Sequence, residues 1–356
     1  MYNFLIDIFG SPVIAFFVAA ALPLFLFILP YALIAVLAER KVSAHMQDRL
    51  GPMRTGYHGI FQTVADILKL IQKEDITANS IDRTLFNFAP YLVFIGSFAA
   101  FAVLPFSSFF VGSSIDIGLF YFLAISSLVV AGILMGGWSS NNKYSLLGAM
   151  RSVSQIISYE IPTAIVVLTM VMLTSTLNLD TITNQQTAYF WNWNILGGAA
   201  TGIAKFLLIP LMFAAFIIIF ISTLAEVNRT PFDIPEAESE LVSGFFTEYT
   251  GMKFAMFFLA EYANMLAVSF LITVLFFGGY HSPFGYLGNS LGIEWLVPIE
   301  QGVWFATKGL TFVLVQMWLR WTLPRLRVDQ LMTVCWKYLI PYSVAILLLV
   351  GFITLI

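Results

Sequence analysis

The chain has 356 residues, of which 59% are apolar and only 10% charged, and a net charge of −3. Soluble domains average roughly 45–50% apolar and 25% charged residues, so this composition excludes an ordinary soluble protein and points to a membrane one. The near-neutral charge, with no dense Lys/Arg cluster, excludes nucleic acid as a partner; one cysteine, Cys335, excludes an internal disulfide and a self-held iron–sulfur cluster, which takes about four protein ligands.

A spanning helix needs about 20 mostly apolar residues to cross a hydrocarbon core about 30 Å thick. Runs of that character lie at about 12–38, 86–109, 117–138, 155–177, 202–223, 255–277, 303–321 and 335–356. The expectation is an all-α, polytopic membrane protein with eight transmembrane helices in a single integral domain. The segment before the first run, "MYNFLIDIFGSPV", has no basic n-region and no small-residue cleavage motif, so no cleaved signal peptide is expected. No alternating ten-residue strands suggest a β-barrel.

Between the first two runs lies the longest polar loop. There Ile60, Val64, Ile67, Leu68 and Ile71 share one helical face while Gln62, Asp66, Lys69 and Lys73 share the other. That spacing predicts an amphipathic helix over about 59–73, lying in the membrane interface or packed on a partner. The loops around 105–116, 178–200 and 278–302 carry no Lys or Arg, and the alternate loops hold nearly all of the 17. The Lys/Arg-rich loops are therefore expected on the cytoplasmic side and both termini opposite. Two cations break the pattern: Lys205, which can snorkel to the interface, and Lys308, which needs a carboxylate, a carbonyl or water inside its helix.

Carboxylates inside a membrane are costly when charged and are functional candidates by default. Glu160, near the start of the fourth run, and Glu261, two turns inside the sixth, are of this kind; each either locks helices by a hydrogen bond or carries protons. The stretch "AEVNRTPFDIPEAESEL" sets Glu226, Asp233, Glu236, Glu238 and Glu240 around Arg229. "DIPE" reads as a capping box with Asp233 at N-cap and Glu236 at N3, which leaves Glu238 and Glu240 as surplus charge. Carboxylates held this close are expected to titrate as a coupled group. Arg40, Arg49, Arg54, Arg229, Arg320, Arg325 and Arg327 fit positive-inside topology, and beside Asp48, Asp66 and Asp329 they can also line a polar cavity at the membrane edge. Such a cavity suits a ligand with a polar head and an apolar tail.

"GIFQTVADILKLIQKED" from Gly59 and "RTPFDIPEAESELVSG" from Arg229 closely resemble the two signature segments of the H-subunit family of proton-pumping NADH:quinone oxidoreductase, respiratory complex I. The likeness continues through "AERK" at 39–42, "GAMRSVSQIISYE" at 148–160, "EYTGMKFAMFFLAEY" at 248–262, "LFFGGY" at 275–280 and "RLRVDQLM" at 325–332, and so covers essentially the whole chain.

The resemblance implies a membrane subunit of a translocase that builds much of a quinone chamber and has no redox centre of its own. Quinone, ubiquinone or another, is then a substrate, and nothing is bound covalently or held by a metal site here. FMN and iron–sulfur clusters are expected only in partner subunits. Those partners would be hydrophilic iron–sulfur and quinone-site subunits, small membrane subunits and antiporter-like subunits, with membrane lipid around them, in the cytoplasmic (inner) membrane. Residue by residue, it puts Arg40, Arg49, Asp66, Lys69 and Arg229 along a quinone channel. Glu226, Asp233, Glu236, Glu238 and Glu240 fall in an acidic loop beside it, with Glu160 and Glu261 continuing a proton path. Two other readings stand beside this one: a transporter working alone, and the related membrane subunit of energy-converting hydrogenases.

Overall fold

In the computed structural model, residues 27–111, 114–198, 200–235, 238–288, 292–293 and 295–355 are described, with isolated positions 6, 8, 10, 11, 14 and 18 before them; the side chains of 238 and 239 are not. The described residues are helical, with no strand longer than the single bridges Pro105–Val111 and Tyr189–Phe284.

Helix α1 (Leu29–Met46) carries Pro30 in its first turn, where a missing N–H costs nothing. It runs eight residues past the apolar run that ends at 38, and the part of that run before residue 27 lies outside the described residues except for 14 and 18. Helix α2 (Gln62–Gln72) is the amphipathic element, its apolar side chains Val64, Ile67, Leu68 and Ile71 exposed on the chain's own surface. Seven helices among the described residues are long and apolar enough to cross a membrane. They are α3 (Arg83–Ala99, continued by a 3₁₀ turn to Val103), α4 (Gly118–Ser139), α5 (Lys143–Thr174), α7 (Gly202–Glu226), α8 (Gly251–Phe276), α9 (Leu296–Thr322) and α10 (Val328–Leu355). A short helix, α6 (Leu179–Gln185), lies between α5 and α7. With α1 only partly described, seven spans are in view where the sequence has eight apolar runs. The chain is an integral membrane protein.

Ends are set locally. Asp82 caps α3 by accepting from the backbone N–H of Thr84, and Asn142 caps α5 by accepting from that of Tyr144. The Asn142 cap starts α5 a dozen residues before its apolar run, because Ser145 and Gly148 pack there against the turn at Gly244–Phe246. A Cβ on Gly148 would lie 2.7 Å from the Gly244 backbone, so only glycine admits this approach. Helix α10 is α-helical except for a π segment, Val334–Leu339.

The centre of the bundle is α8. It packs on α3, α9, α7 and α1 along its length and on α2 and α6 at its ends, and 78% of its apolar window is buried within the chain, against 28% for α9 and α10. The carboxylate and hydroxyl of Glu261 and Tyr262 on α8 therefore lie where the other helices converge.

Candidate functional site: a charged knot and a carboxylate-lined cavity

At the Lys/Arg-rich end of the bundle, the last two turns of α1 present Glu39 inward and Arg40 outward. Glu39 is 5% exposed and collects three partners from three distant segments. Arg229 Nη1 donates to it at 3.2 Å, Arg320 of α9 also donates to it, and the Tyr262 hydroxyl donates to its Oε2 at 2.6 Å. The Arg229 guanidinium also lies over the Tyr262 ring, 4.6 Å from its centre. Arg229 is buried and Arg320 about one-quarter exposed; the buried guanidinium needs a buried anion, since one uncompensated charge in such a place costs several kcal/mol. Arg229 Nε and Nη2 and the Tyr31 hydroxyl are buried and meet no acceptor or donor among the described residues. Buried polar atoms of this kind require water or a ligand.

Arg40 points to the other side of α1 and pairs with Asp66 of α2 at 2.6 Å; Gln62 Nε2 donates to the same carboxylate at 3.2 Å. Arg40 and Asp66 are thus brought together, and the charged knot lies behind them on the same helix end. Arg49 instead donates to Gln47 at 2.7 Å, and Lys69 is exposed one turn on from Asp66; neither joins the knot.

The segment after α7 does not gather its acids around Arg229, which turns away to Glu39. Its described acids are each met by an arginine from elsewhere: Asp233 by Arg325 at 3.1 Å and Glu240 by Arg151 of α5 at 2.7 Å. Opposite charge from α5 and from the link between α9 and α10 thus reduces the repulsion that a reading along the chain implies. Glu236 and the Glu238 side chain lie outside the described residues, and with them the N3 half of the expected capping box and one of the two surplus charges; the other, Glu240, is the one met by Arg151. Gln155 of α5 ties this segment down by donating to the carbonyls of Ala225 at 2.8 Å and Phe232 at 2.9 Å and to the Asn228 side chain.

Glu226, the last residue of α7, faces the interior. Its Oε1 accepts from the Thr163 hydroxyl of α5 at 2.6 Å. It lines a cavity with about 40 Å³ of water-accessible space, together with Glu160, Thr163, Ser126 and Asn264. A second cavity of about 20 Å³ is lined by Glu226, Asn228, Glu261 and Asn264. Each exceeds the roughly 10–15 Å³ that one water requires. Glu226 and Asn264 line both, so three carboxylates from α5, α7 and α8 stand in the walls of two adjoining cavities whose linings are otherwise mostly apolar.

The two cations out of place on the Lys/Arg-poor side are both answered by carbonyls. Lys308 donates to the backbone oxygens of Phe277, Gly279 and His281 at 2.7, 2.9 and 2.5 Å, and Lys205 donates to that of Trp191 at 2.9 Å. Nearby, Tyr280 donates to Asn184 Oδ1 at 2.5 Å and reaches Asp180 at 3.3 Å. Burial pushes the Asp180 carboxyl above the usual carboxylate range.

Glu39 and Asn264 are the residues that reading the sequence for chemistry passes over. Glu39 stands beside Arg40 at the edge of an apolar run and reads as topology. Asn264 is one turn beyond Glu261 on α8, the one signal that could have found it.

No group of three or more metal-ligating side chains is gathered among the described residues. Residues 19–351 match the NADH dehydrogenase family. The chain belongs to that family. The NADH-quinone oxidoreductase H subunit of Chlorobium luteolum is 54% identical over 92% of this chain and 86% of its own length. The corresponding H subunit of Geobacillus thermodenitrificans is 45% identical over 96% and 95%, and one of Cytophaga hutchinsonii is 47% identical over 91% and 95%.

Proposed function

We propose that the chain is the H-type membrane subunit of an NADH:quinone oxidoreductase, that it forms one wall of the quinone chamber, and that it couples quinone reduction to proton movement through Glu226, Glu160 and Glu261. What carries the reading is the pair of small cavities that meet at Glu226 and Asn264 with all three carboxylates in their walls. A buried carboxylate beside water-sized space can bind and release a proton without a large rearrangement. The chain's membership of a family of oxidoreductase subunits favours this over a transporter working alone or a hydrogenase subunit.

The quinone head would approach between α1, α2 and the segment following α7. Arg40 and Asp66 would line its approach, with Arg49 and Lys69 on the exposed rim. Arg229 offers two buried nitrogens, Nε and Nη2, that lack an acceptor among the described residues, which suits a quinone carbonyl or the water beside it. Reduction to quinol draws two protons and two electrons per quinone, the electrons from partner subunits that hold FMN and iron–sulfur clusters. Charge appearing at the head would bias the ion pairs Glu39–Arg229, Asp233–Arg325 and Glu240–Arg151, and through the 225–232 segment the protonation of Glu226. Glu236 and Glu238 belong to the same acidic loop. The subunit would sit in the cytoplasmic membrane with its Lys/Arg-rich loops on the cytoplasmic side, facing the hydrophilic subunits, and would pass its protonation change toward the small and antiporter-like membrane subunits.

The test uses the whole complex in liposomes, with Glu226→Gln, Glu160→Gln, Glu261→Gln and Glu240→Gln made one at a time. NADH-driven quinone reduction and proton uptake are both measured. Loss of proton transfer with the complex assembled is the expected result; unchanged reduction and unchanged pumping in all four variants would overturn the reading.

A further inference from the structure

On the Lys/Arg-poor side, far from the charged knot, an open groove of about 350 Å³ is lined only by apolar and aromatic side chains, among them Phe190, Trp193, Leu196, Ile209, Phe213 and Phe277. Lys205, Ile209 and Phe213 follow at i, i+4 and i+8 on α7, so the cation heads the same helical stripe that lines the groove. At about 1.5 Å per residue the stripe runs about 12 Å from Lys205 to Phe213, most of the roughly 15 Å of one leaflet's hydrocarbon. Tyr189 and Trp191 stack at 4.9 Å and are both about half exposed beside the groove mouth. Aromatic rings of this kind settle at headgroup level.

Lys205 is held at that mouth. Its ammonium bonds the carbonyl of Trp191, next in the chain to Phe190, and its stem runs past Gly197, next to Leu196, where a Cβ would come within 3.2 Å of Lys205 Cγ. An ammonium has three donors, one is used by that carbonyl, and no carboxylate pairs with it among the described residues. A cation above an apolar slot at the depth of the lipid headgroups has the chemistry of a phospholipid site.

We propose that this groove binds one anionic phospholipid of the Lys/Arg-poor leaflet, with its phosphate on Lys205 and one acyl chain along Ile209, Phe213 and Phe277. The site is independent of the quinone reading.

The test is photolabelling of the assembled complex in nanodiscs, with phosphatidylglycerol or phosphatidylcholine carrying a diazirine in the acyl chain, followed by peptide mapping. The anionic probe is expected to label the peptides that contain Phe213 and Trp193 about tenfold more than the zwitterionic one, the ratio of one ion pair worth about 1.4 kcal/mol. Lys205→Gln should lower that labelling to the zwitterionic level and Lys205→Arg should keep it. Equal labelling by the two headgroups in the unaltered complex means ordinary boundary lipid and overturns the proposal without any variant. Absence of label on both peptides, with other lipid-facing peptides labelled, means that a neighbouring subunit fills the groove, and overturns it as well.

Discussion

Glu39 of α1 and Arg229 of the segment after α7 are 190 residues apart in sequence and 3.2 Å apart in space, and each side chain is only 6% exposed. Arg320 shares the same Oε1, and Tyr262 completes the carboxylate's bonding from α8. One anion thus fastens α1, α8, α9 and the loop that ends α7. The pair does not owe its place to net stabilisation, because desolvating two charges offsets much of their attraction.

Removing the anion alone should be severe. Glu39→Gln leaves two arginines without their counter-charge, at a cost of about 3–5 kcal/mol for a broken buried pair. The expected outcome is loss of assembled complex on native gels and a lowered melting temperature. Glu39→Met combined with Arg229→Met should lose less than the sum of the two single Met variants, as coupled partners do in a double-mutant cycle. Additive losses would mean that the two side chains do not act as a pair.

Asn264 joins the two cavities beside Glu226. Asn264→Leu keeps the bulk but removes the polar wall that water needs. Proton pumping is expected to fall about tenfold, the rate equivalent of a barrier raised by about 1.4 kcal/mol where the water path is interrupted. Assembly and the binding of quinone-site inhibitors should stay unchanged. The check is the ratio of protons moved to NADH oxidised in liposomes; an unchanged ratio removes Asn264 from the path.

Much of the bundle is legible in the sequence because apolar length is a one-dimensional property: seven of the eight runs correspond to long helices in the described residues. The start of α5 is not, because Lys143 to Arg151 mix polar with apolar residues, and the Asn142 cap and the close Gly148–Gly244 approach mark its start in space. The site divides the same way. Arg40 and Asp66 flank the same polar stretch of sequence and read as neighbours of one cavity edge, and their ion pair joins α1 to α2. Glu39 has no role in such a reading because its partners lie at 229, 262 and 320, and the sequence carries no local trace of that convergence. The acids at 233 and 240 look along the chain like one cluster around Arg229; Arg325, from the link between α9 and α10, and Arg151 of α5 take them separately.

Lys308 is a cation held by three carbonyls of a single turn and by the face of Trp193, whose ring centre is 4.3 Å away. Lys308→Met removes three charge-assisted bonds and leaves those oxygens buried, at about 1–3 kcal/mol for each one left unsatisfied. Hydrogen exchange of the amides from Phe277 to Tyr286 should speed up at least tenfold in the variant while that of α3 and α4 does not change. Equal protection in both proteins would show that the turn holds its shape without the ammonium.

His281 ends that turn and shares a hydrogen bond through Nδ1 with the Tyr286 hydroxyl. Burial first, and the Lys308 charge second, pull its pKa from 6.5 down to about 4. The unfolded chain therefore takes up this proton at a higher pH than the folded one, so folding loses stability as pH falls from about 6.5 toward 4 and gains nothing from His281 above that window. Asp180, whose carboxyl is shifted up by burial, works in the opposite sense at the acid end, so the histidine is isolated by comparison with a variant. The melting temperature of the complex should drop between pH 7 and pH 5, and His281→Gln, which has no proton to gain, should drop by less. If both fall by the same amount, the acid sensitivity resides in other groups and His281 is not the residue that the folded chain keeps neutral.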